Sequence, residues 1–142
     1  MGMSVFLWAV FVRFERNADG IVTDLQTNLQ WQDDYSDNGG QVKSDDWQGA
    51  INYCKDLELG GYSDWRLPNI KELSSIMNDT AHPTIYPVFQ TNASGFYYWS
   101  STTAVNFTGA AWYINCDYGN HSYLPKSGGD GRVRCVRTRT AG

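Results

Sequence analysis

Residues 59–69, read LGGYSDWRLPN, constrain the fold of this chain more than any other stretch. They separate two segments with helical periodicity, and the paired glycines near their start can adopt the positive φ that ends a helix. The Leu-Pro-Asn sequence at their end is typical of the first turn of a new helix. Between these signals, Trp65 can bury a large ring and Arg66 can bridge loop carbonyls or an acidic neighbour. We therefore predict a structural junction between two helices, with Trp65 and Arg66 as structural rather than ligand-binding residues.

The segments on either side of this junction predict two amphipathic helices. The first is predicted to begin at Ser44, a good N-cap, and its apolar residues recur at helical spacing. They form one stripe: Trp47, Ala50, Ile51, Cys54 and Leu57. The second is predicted to begin at Asn69, which has Glu72 at the spacing of a capping box, and to end near Asn78. Its predicted buried face comprises Ile70, Leu73, Ile76 and Met77.

Most of the remaining chain has the period of two that is typical of β-strands. Residues 21–24 and 29–32 predict a hairpin. Residues 81–95 contain two prolines and no usable period, so they predict a long irregular loop region. Further strands are predicted at residues 96–101, 110–116, 121–124 and 132–137. The predicted fold class is therefore α+β, with two helices packed on small antiparallel sheets.

Residues 5–12 (VFLWAVFV) form an uninterrupted apolar run near the amino terminus. The run is less than half of the ~20 residues that a membrane helix requires, so we expect no membrane insertion. It lacks the basic region and the small-residue cleavage site of a signal peptide. We interpret residues 1–12 as an apolar first strand, buried on both faces, and the alternative is the remnant of an export signal. Residues 13–142 are predicted to form a single domain.

Charge and composition limit the classes of partner. The net charge of −4 argues against nucleic-acid binding, which needs a basic surface to displace counterions from phosphates. The C-terminal arginines are interpreted as solvated or salt-bridged strand ends: Arg132, Arg134, Arg137 and Arg139. Aromatic residues reach 15% and charged residues only 18%, a balance that favours a surface of Tyr, Asn, Ser and Gly. Such surfaces are typical of recognition, and a loop-rich β protein with large turns is the alternative.

The three cysteines allow three single disulfide pairings. Cys54 lies on the buried stripe of the first helix and Cys135 shares a strand face with Val133, so the favoured pairing joins Cys54 to Cys135. Cys116 is then a buried free thiol. A disulfide indicates maturation in an oxidising compartment, and we expect an extracellular, cell-surface or periplasmic protein.

Five runs of sequence carry a resemblance to a known family. They are RFERNADGIVTDLQTNLQWQ, DDWQGAINYCKDLELGGYSDWRLPNIKEL, YYWSSTT, AAWYINCDYGN and RVRCVR. Over residues 13–137 the chain resembles the DUF1566 family, also called the Lcl C-terminal domain after a collagen-like adhesin. The resemblance implies a C-type-lectin-like fold, in which the two termini form a hairpin, two helices flank it and a long-loop region carries ligands. A helix-one cysteine bridged to the last strand is similar to the long disulfide of that superfamily.

The sequence also departs from members of that superfamily with known chemistry. The Glu-Pro-Asn or Gln-Pro-Asp run and the Trp-Asn-Asp run of calcium-dependent sugar-binding lectins do not occur in it. Formylglycine-generating relatives need reactive cysteines, whereas Cys116 has no nearby His or Lys to activate it. The two histidines, His82 and His121, are interpreted as residues of a loop and of a strand or turn. We therefore predict no catalytic residue, no cofactor and no enzymatic activity.

Residues 34–45 match part of a calcium-binding loop. Asp34, Asn38 and Asp45, together with Ser36 and Gly39, fit the spacing at which oxygen ligands and a sharp bend hold this ion. The last position of the match is Asp rather than the usual Glu, and no predicted helix precedes the loop. We favour a solvated acidic loop over a calcium site.

The candidate binding surface lies within residues 106–127, which begin with the run NFTGAAWYINCDYGNHSY. Trp112 and Ile114 are expected to face the core, which directs the alternate residues outward. Exposed tyrosines among Asn, Asp and His suit sugars or protein surfaces, through ring stacking and short hydrogen bonds. The predicted ligand-binding residues are Tyr113, Asn115, Asp117, Tyr118, Asn120, His121 and Tyr123.

Three functions are compatible with these features. The favoured one is a non-catalytic recognition module that binds glycans or a protein surface. A special case is the variable receptor of a diversity-generating retroelement, because the run at residues 106–123 is rich in residues reachable by changing adenines in an Asn codon. The alternatives are an enzyme of the formylglycine-generating type and a purely structural domain of a larger surface assembly.

Overall fold

Two β-sheets and two α-helices make up the α+β fold in this computed structural model, which describes residues 12–78, 80, 84–90 and 97–140. The predicted strand at residues 5–12 lies, apart from Val12, outside the described residues. The elements in chain order are β1 (Phe14–Arg16), β2 (Ile21–Asp24), β3 (Leu29–Gln32), β4 (Lys43–Asp45), α1 (Trp47–Asp56), α2 (Ile70–Ser74), β5 (Tyr97–Ala104), β6 (Phe107–Asn115), β7 (His121–Pro125), β8 (Gly131–Val133) and β9 (Val136–Thr138).

The strands form a four-stranded sheet in the order β1-β2-β3-β9 and a five-stranded sheet in the order β4-β8-β5-β6-β7. The predicted hairpin at residues 21–32 is confirmed, because β2 and β3 pair along their full length. The first sheet is antiparallel throughout, but in the second β8 runs parallel to β5. The prediction of purely antiparallel sheets is therefore wrong for this one pair. The chain returns from β7 to the opposite edge of β5, which a meander does not do.

The first and last described strands do not pair with each other as the resemblance implied. The first, β1, pairs with β2, whereas β9 pairs with β3. The hairpin of β2 and β3 therefore separates them and places them at opposite edges of the four-stranded sheet. The C-terminal strand β9 nevertheless belongs to the same sheet as β1, β2 and β3.

The arginine-rich run predicted as one strand at residues 132–137 is two strands in different sheets. Arg134 and Cys135 lie between β8 and β9, outside both strands. The predicted disulfide joins Cys54 of α1 to Cys135, and Cys116 is a buried thiol outside that bond, as predicted. Because the chain crosses from one sheet to the other at Cys135, the disulfide fixes the crossing point to α1.

Helix α1 has the predicted buried face, whereas α2 contains only Ile70 and Leu73 of its predicted face. One end of each helix also differs from the prediction. The N-cap of α1 is Asp46, whose Oδ1 accepts a hydrogen bond from the backbone N–H of Gly49 at 2.8 Å. The predicted N-cap, Ser44, instead lies in β4, where the backbone pairs with Arg132 of β8. Pairing of this polar segment with a later strand has no local signal in the sequence, since β4 carries no alternating apolar residues.

The capping box predicted for α2 is present. The side chain of Asn69 accepts from the backbone N–H of Glu72, and the Glu72 carboxylate accepts from the backbone N–H of Asn69. The helix is nevertheless short and ends at Ser74 rather than near Asn78. It stops because Met77 pairs with Ile85 in an isolated β-bridge, which requires an extended backbone.

Two hydrophobic clusters cover the two faces of the five-stranded sheet. One cluster fills the space between the two sheets and includes Leu73 of α2, and the other packs beneath α1. Neighbouring residues of β5 alternate between them, with Tyr98 in the first cluster and Trp99 in the second. The central part of this sheet is therefore buried on both sides, and the described residues of β7, at one edge, are more exposed.

In the junction at residues 59–69, Trp65 and Arg66 make the kinds of contact predicted for them. The Trp65 ring is only 3% exposed, and its indole N–H donates to the Leu59 carbonyl at 3.3 Å. Arg66 donates to both carboxylate oxygens of Glu72, at 2.7 and 2.8 Å, which is the acidic neighbour predicted for it. Although burial raises the pKa of Glu72, the hydrogen bonds from Arg66 and from the Asn69 backbone outweigh it and hold this pKa below its ordinary value.

The C-terminal arginines are not all solvated, contrary to one of the two readings of the sequence. Arg134 and Arg137 are buried, and each is salt-bridged, to Asp33 and to Asp64 respectively. The guanidinium of Arg137 also lies 3.6 Å from the centre of the Tyr62 ring. A buried charge is tolerated only with such partners, which the sequence spacing does not reveal because they lie far away along the chain.

Candidate functional site

The predicted binding residues lie on the hairpin of β6 and β7 and the turn that joins these strands. Residues that pair across an antiparallel ladder share a face of the sheet. The pairs are Trp112 with Tyr123, Tyr113 with Ser122 and Ile114 with His121. His121 and Tyr123 therefore lie on the Trp112 face, and Tyr113 lies on the opposite face.

Two of the predicted residues, Tyr113 and Asn115, are on the face that packs towards α1. The Tyr113 ring is half-buried, with its centre 4.7 Å from that of Tyr97, and it belongs to the cluster beneath α1. The expectation that Tyr113 points outward is therefore wrong. The Asn115 side chain accepts from the backbone N–H of Asp117 at 2.8 Å, so it shapes the turn after β6.

That turn carries two exposed residues of the predicted set. The backbone N–H of Gly119 donates to the Asn115 carbonyl at 2.8 Å, and Gly119 has a φ of 76°, which closes the turn tightly. Tyr118 on one side of this glycine is 71% exposed, and Asn120 on the other side is also exposed. The turn therefore holds both side chains out from the sheet.

Four rings form a continuous row on the Trp112 face of the hairpin, which we call the aromatic strip: Phe107, Tyr123, Trp112 and His121. The ring centres are 5.5 Å apart from Phe107 to Tyr123, 5.2 Å from Tyr123 to Trp112 and 5.5 Å from Trp112 to His121. Phe107 is 56% exposed and Tyr123 40% exposed. Large rings that stay this open to solvent on a rigid sheet are available for contact with a partner.

A groove runs between α2 and this hairpin, and we call it the α2–β7 groove. It consists of two adjoining depressions of about 640 and 320 Å³. Ser74 and His121 line both depressions, so the two are continuous. The other described residues that line them are Ile70, Lys71, Met77, Trp112, Tyr118, Gly119 and Asn120.

The groove continues along the aromatic strip. Trp112 lines the smaller depression and also a third one of about 130 Å³, at the tip of the hairpin of β5 and β6. Phe107 and Tyr123 line this third depression. The three depressions are therefore linked in sequence by shared residues, and together they form one elongated trough with aromatic and amide side chains along it.

Part of this site was predicted from the sequence. The predicted binding residues that line the trough are Tyr118, Asn120, His121 and Tyr123, whereas Trp112 was predicted to face the core. No role was predicted for Phe107 or for the exposed side of α2. The face on which each hairpin residue lies depends on the register of β6 and β7, which is set by a turn whose exact position the sequence leaves open.

In the acidic loop at residues 34–45, the side chains predicted as oxygen ligands form hydrogen bonds with groups in or next to the loop. The Asp34 carboxylate accepts from the backbone N–H and the hydroxyl of Ser36, at 2.9 and 2.7 Å, and these bonds lower the pKa of Asp34. The Asn38 amide donates to the Gln41 carbonyl at 2.8 Å, and Asp45 accepts from the next backbone N–H. Within the described part of the chain, no group of three His, Cys, Asp or Glu side chains is arranged to hold a metal ion. His82 lies outside the described residues.

The chain matches a known protein family. A family model described as the Lcl C-terminal domain matches residues 20–137. A comparison with curated proteins finds no match. In the described ranges, no helix is both long and apolar enough to cross a membrane.

Proposed function

The chain belongs to the Lcl C-terminal domain family, and from that premise we propose that it is a non-catalytic recognition module that binds a glycan chain along the trough. The observation that carries the proposal is the trough itself, three linked depressions with the aromatic strip along them. An elongated site of this kind suits a chain of sugar rings better than a single compact ligand.

The chemistry of the lining supports a sugar ligand. Sugar rings have an apolar face of C–H groups that can stack on aromatic side chains, and Trp112 and Tyr123 offer such surfaces. Their hydroxyls need short, fixed hydrogen-bonding partners. The Asn120 amide and the Ser74 hydroxyl lie in the same groove, on a tight turn and on a capped helix respectively.

The absence of catalysis is also part of the proposal. The thiol of Cys116 is buried in the core between the sheets, which would hide a formylglycine-type nucleophile from substrate. A thiol-labelling reagent should therefore leave Cys116 unmodified in the folded protein. Rapid labelling under native conditions would favour the enzyme.

The proposal extends to the superfamily and to the location of the protein. We include a C-type-lectin-like fold in the proposal because two helices and two small sheets, tied by a disulfide from the first helix to the C-terminal segment, match what that superfamily implies. The disulfide also supports an extracellular, cell-surface or periplasmic location, as in an adhesin.

A protein surface is the second candidate ligand, and one observation favours it. At the tip of the hairpin of β5 and β6, Val105 is 89% exposed beside Phe107. Exposed apolar residues grouped in this way are typical of protein contacts. The diversified-receptor case belongs here too, and the gene would then carry AAC or AAT codons across residues 106–123.

A glycan array with two matched variants tests the proposed function. Asn120→Ala removes an amide from the groove, and Asn52→Ala removes an exposed amide from α1, outside the residues that line the trough. We expect the wild type to bind a subset of glycans. Asn120→Ala should weaken that binding about fivefold, since one hydrogen bond contributes about 1 kcal/mol, and Asn52→Ala should leave it unchanged. Binding of no glycan, or equal loss in both variants, would contradict the proposal.

A further inference from the structure

Strand β7 forms one edge of the five-stranded sheet, and in the described part of the chain only β6 pairs with it. Along an antiparallel ladder, pairs of residues that exchange hydrogen bonds alternate with pairs whose N–H and C=O groups point away from the neighbouring strand. The N–H of Asn115 donates to the Asn120 carbonyl at 2.9 Å directly before β7, so this pair is of the bonded kind. In the register of the ladder, Ser122 and Leu124 therefore bond to β6.

The backbone groups of the alternate residues, His121, Tyr123 and Pro125, point out from the edge of the sheet. Proline has no N–H, and the Pro125 carbonyl accepts from the N–H of Gly128 at 3.1 Å. Within the described ranges, the outward N–H and C=O groups of His121 and Tyr123 have no protein partner. Two donors and two acceptors therefore stand along this edge on alternate residues.

A second copy of the chain offers the matching set of groups. When two β7 strands pair antiparallel about Ser122, His121 of each copy faces Tyr123 of the other. Each facing pair exchanges two N–H···O bonds, so four bonds satisfy all the open groups.

The neighbouring registers satisfy fewer groups. Pairing centred on Tyr123 places His121 opposite Pro125, which has no N–H to donate. Pairing centred on His121 places Tyr123 opposite Gly119, whose N–H already donates to the Asn115 carbonyl. The open backbone groups therefore favour the register centred on Ser122.

The charges along this edge also suit a second copy. No Asp, Glu, Lys or Arg occurs in β7, although charged residues commonly protect exposed strand edges from pairing. Asp117 lies in the turn before the strand, and Lys126 follows it directly. Antiparallel pairing brings the Lys126 end of each copy towards the Asp117 end of the other, so charges of opposite sign meet.

We propose that the chain forms a two-fold symmetric dimer through antiparallel pairing of β7 with β7 of a second copy, in the register centred on Ser122. Residues that face each other in a ladder share a face of the sheet, so the two aromatic strips lie on the same side of the joined sheets. The dimer goes beyond the proposed function and does not depend on glycan binding. Because a strand pair of this length buries little surface, the dimer is weak and reversible.

Sedimentation equilibrium of the wild type, Tyr123→Ala and Tyr123→Pro tests the backbone bonds. Both variants remove the ring, but only proline removes the N–H that points to the second copy. That N–H makes no bond to β6, so the ladder within each copy is kept. We expect a concentration-dependent dimer of the wild type. Tyr123→Pro should dimerise about thirtyfold more weakly than Tyr123→Ala, because one hydrogen bond is lost in each copy.

A cysteine at the symmetry axis tests the register. In the proposed dimer the two copies of residue 122 form a non-bonded pair with Cα atoms about 4.5 Å apart, which a disulfide can span. Mild oxidation of Ser122→Cys should therefore give a covalent dimer on a non-reducing gel. Leu124→Cys is the matched control, since Leu124 is also half-buried and on the same face, but its two copies are offset by four residues, or about 13 Å.

Three results would overturn the proposal. They are a wild type that stays monomeric at about 1 mM, equal dimerisation of the alanine and proline variants, and cross-linking of Leu124→Cys as readily as of Ser122→Cys. If Tyr123→Pro does not fold, as judged by urea denaturation, the two cysteine variants decide between dimer and monomer. A protein that dimerises in this way but binds no glycan would remove the proposed function and leave the dimer standing.

Discussion

At the scale of single residues, Arg134 connects more of the molecule than any other charged side chain described above. Its guanidinium is fully buried, and it pairs with Asp33 directly after β3. It also donates to the carbonyls of Gln32 and Gln90, each at 2.8 Å, and to the Tyr98 hydroxyl at 3.2 Å. One side chain thus joins the end of β3, the described part of the long connection and β5.

Removal of the carboxylate partner of Arg134 should strongly destabilise the fold. Asp33→Asn leaves Arg134 buried without its counter-charge and also breaks the ion pair of Asp33 with Arg16. We expect the free energy of unfolding, measured by urea denaturation, to fall by about 3 to 5 kcal/mol. Asp19→Asn is the control, since Asp19 is exposed, and it should change stability by about 0.5 kcal/mol or less. A loss under 1 kcal/mol for Asp33→Asn would show that the buried pair is dispensable.

Trp65 is the residue that distinguishes a structural junction from a binding loop. Trp65→Ala should lower the free energy of unfolding by about 3 to 5 kcal/mol, as deletions of large aromatic side chains from cores do. The protein that remains folded should bind glycan with wild-type affinity, because Trp65 lines no part of the trough. Unchanged stability combined with lost binding would reverse the assignment of this residue.

At the scale of elements, the sequence predicted local features well and pairing partners poorly. The capping box of α2 and the hairpin of β2 and β3 depend on residues a few positions apart, and both are confirmed. The strand β4 and the parallel pairing of β8 depend on residues more than thirty positions away, and both were missed. Local propensity carries no information about which distant strand supplies the missing hydrogen bonds.

The short helix α2 begins at the capping box, and its residues Lys71 and Ser74 line the groove. Asn69→Ala removes the cap and should cost about 1 kcal/mol of stability. It should also weaken glycan binding, because the first turn no longer fixes the direction of the groove side chains. Urea denaturation and calorimetry measure the two effects. Asn69→Asp keeps a capping side chain, so restored stability and binding in that variant are expected, and equal loss in both would contradict a capping role.

At the scale of the whole molecule, the disulfide and the crossing between β8 and β9 hold two sheets and a helix together. Cys54 and Cys135 are 81 residues apart in sequence, and both are buried in the cluster beneath α1. The predicted pairing was correct because burial periodicity is a local property of each segment. The change of sheet at Cys135 was not predictable, since RVRCVR reads as one strand.

Loss of this bond should destabilise the whole domain rather than one edge. In the chain-entropy model, a closed loop of this length contributes about 4 kcal/mol. The double variant Cys54→Ala/Cys135→Ala should lose about that amount in a single cooperative unfolding transition. Cys116→Ser keeps the disulfide, so dithiothreitol should destabilise this variant as much as it destabilises the wild type. Insensitivity of the wild type to dithiothreitol in urea would contradict this role of the disulfide.

The central claim is that the trough between α2 and the hairpin of β6 and β7 is where this domain binds glycans. The most direct test is an NMR titration of the ¹⁵N-labelled protein with a glycan identified on the array. The amide and indole chemical shifts are measured at each glycan concentration. We predict shift changes at the Trp112 indole, Lys71, Asn120 and His121, with none in β1 to β3. Changes confined to the four-stranded sheet, or to the junction at residues 59–69, would place the site elsewhere and contradict the claim.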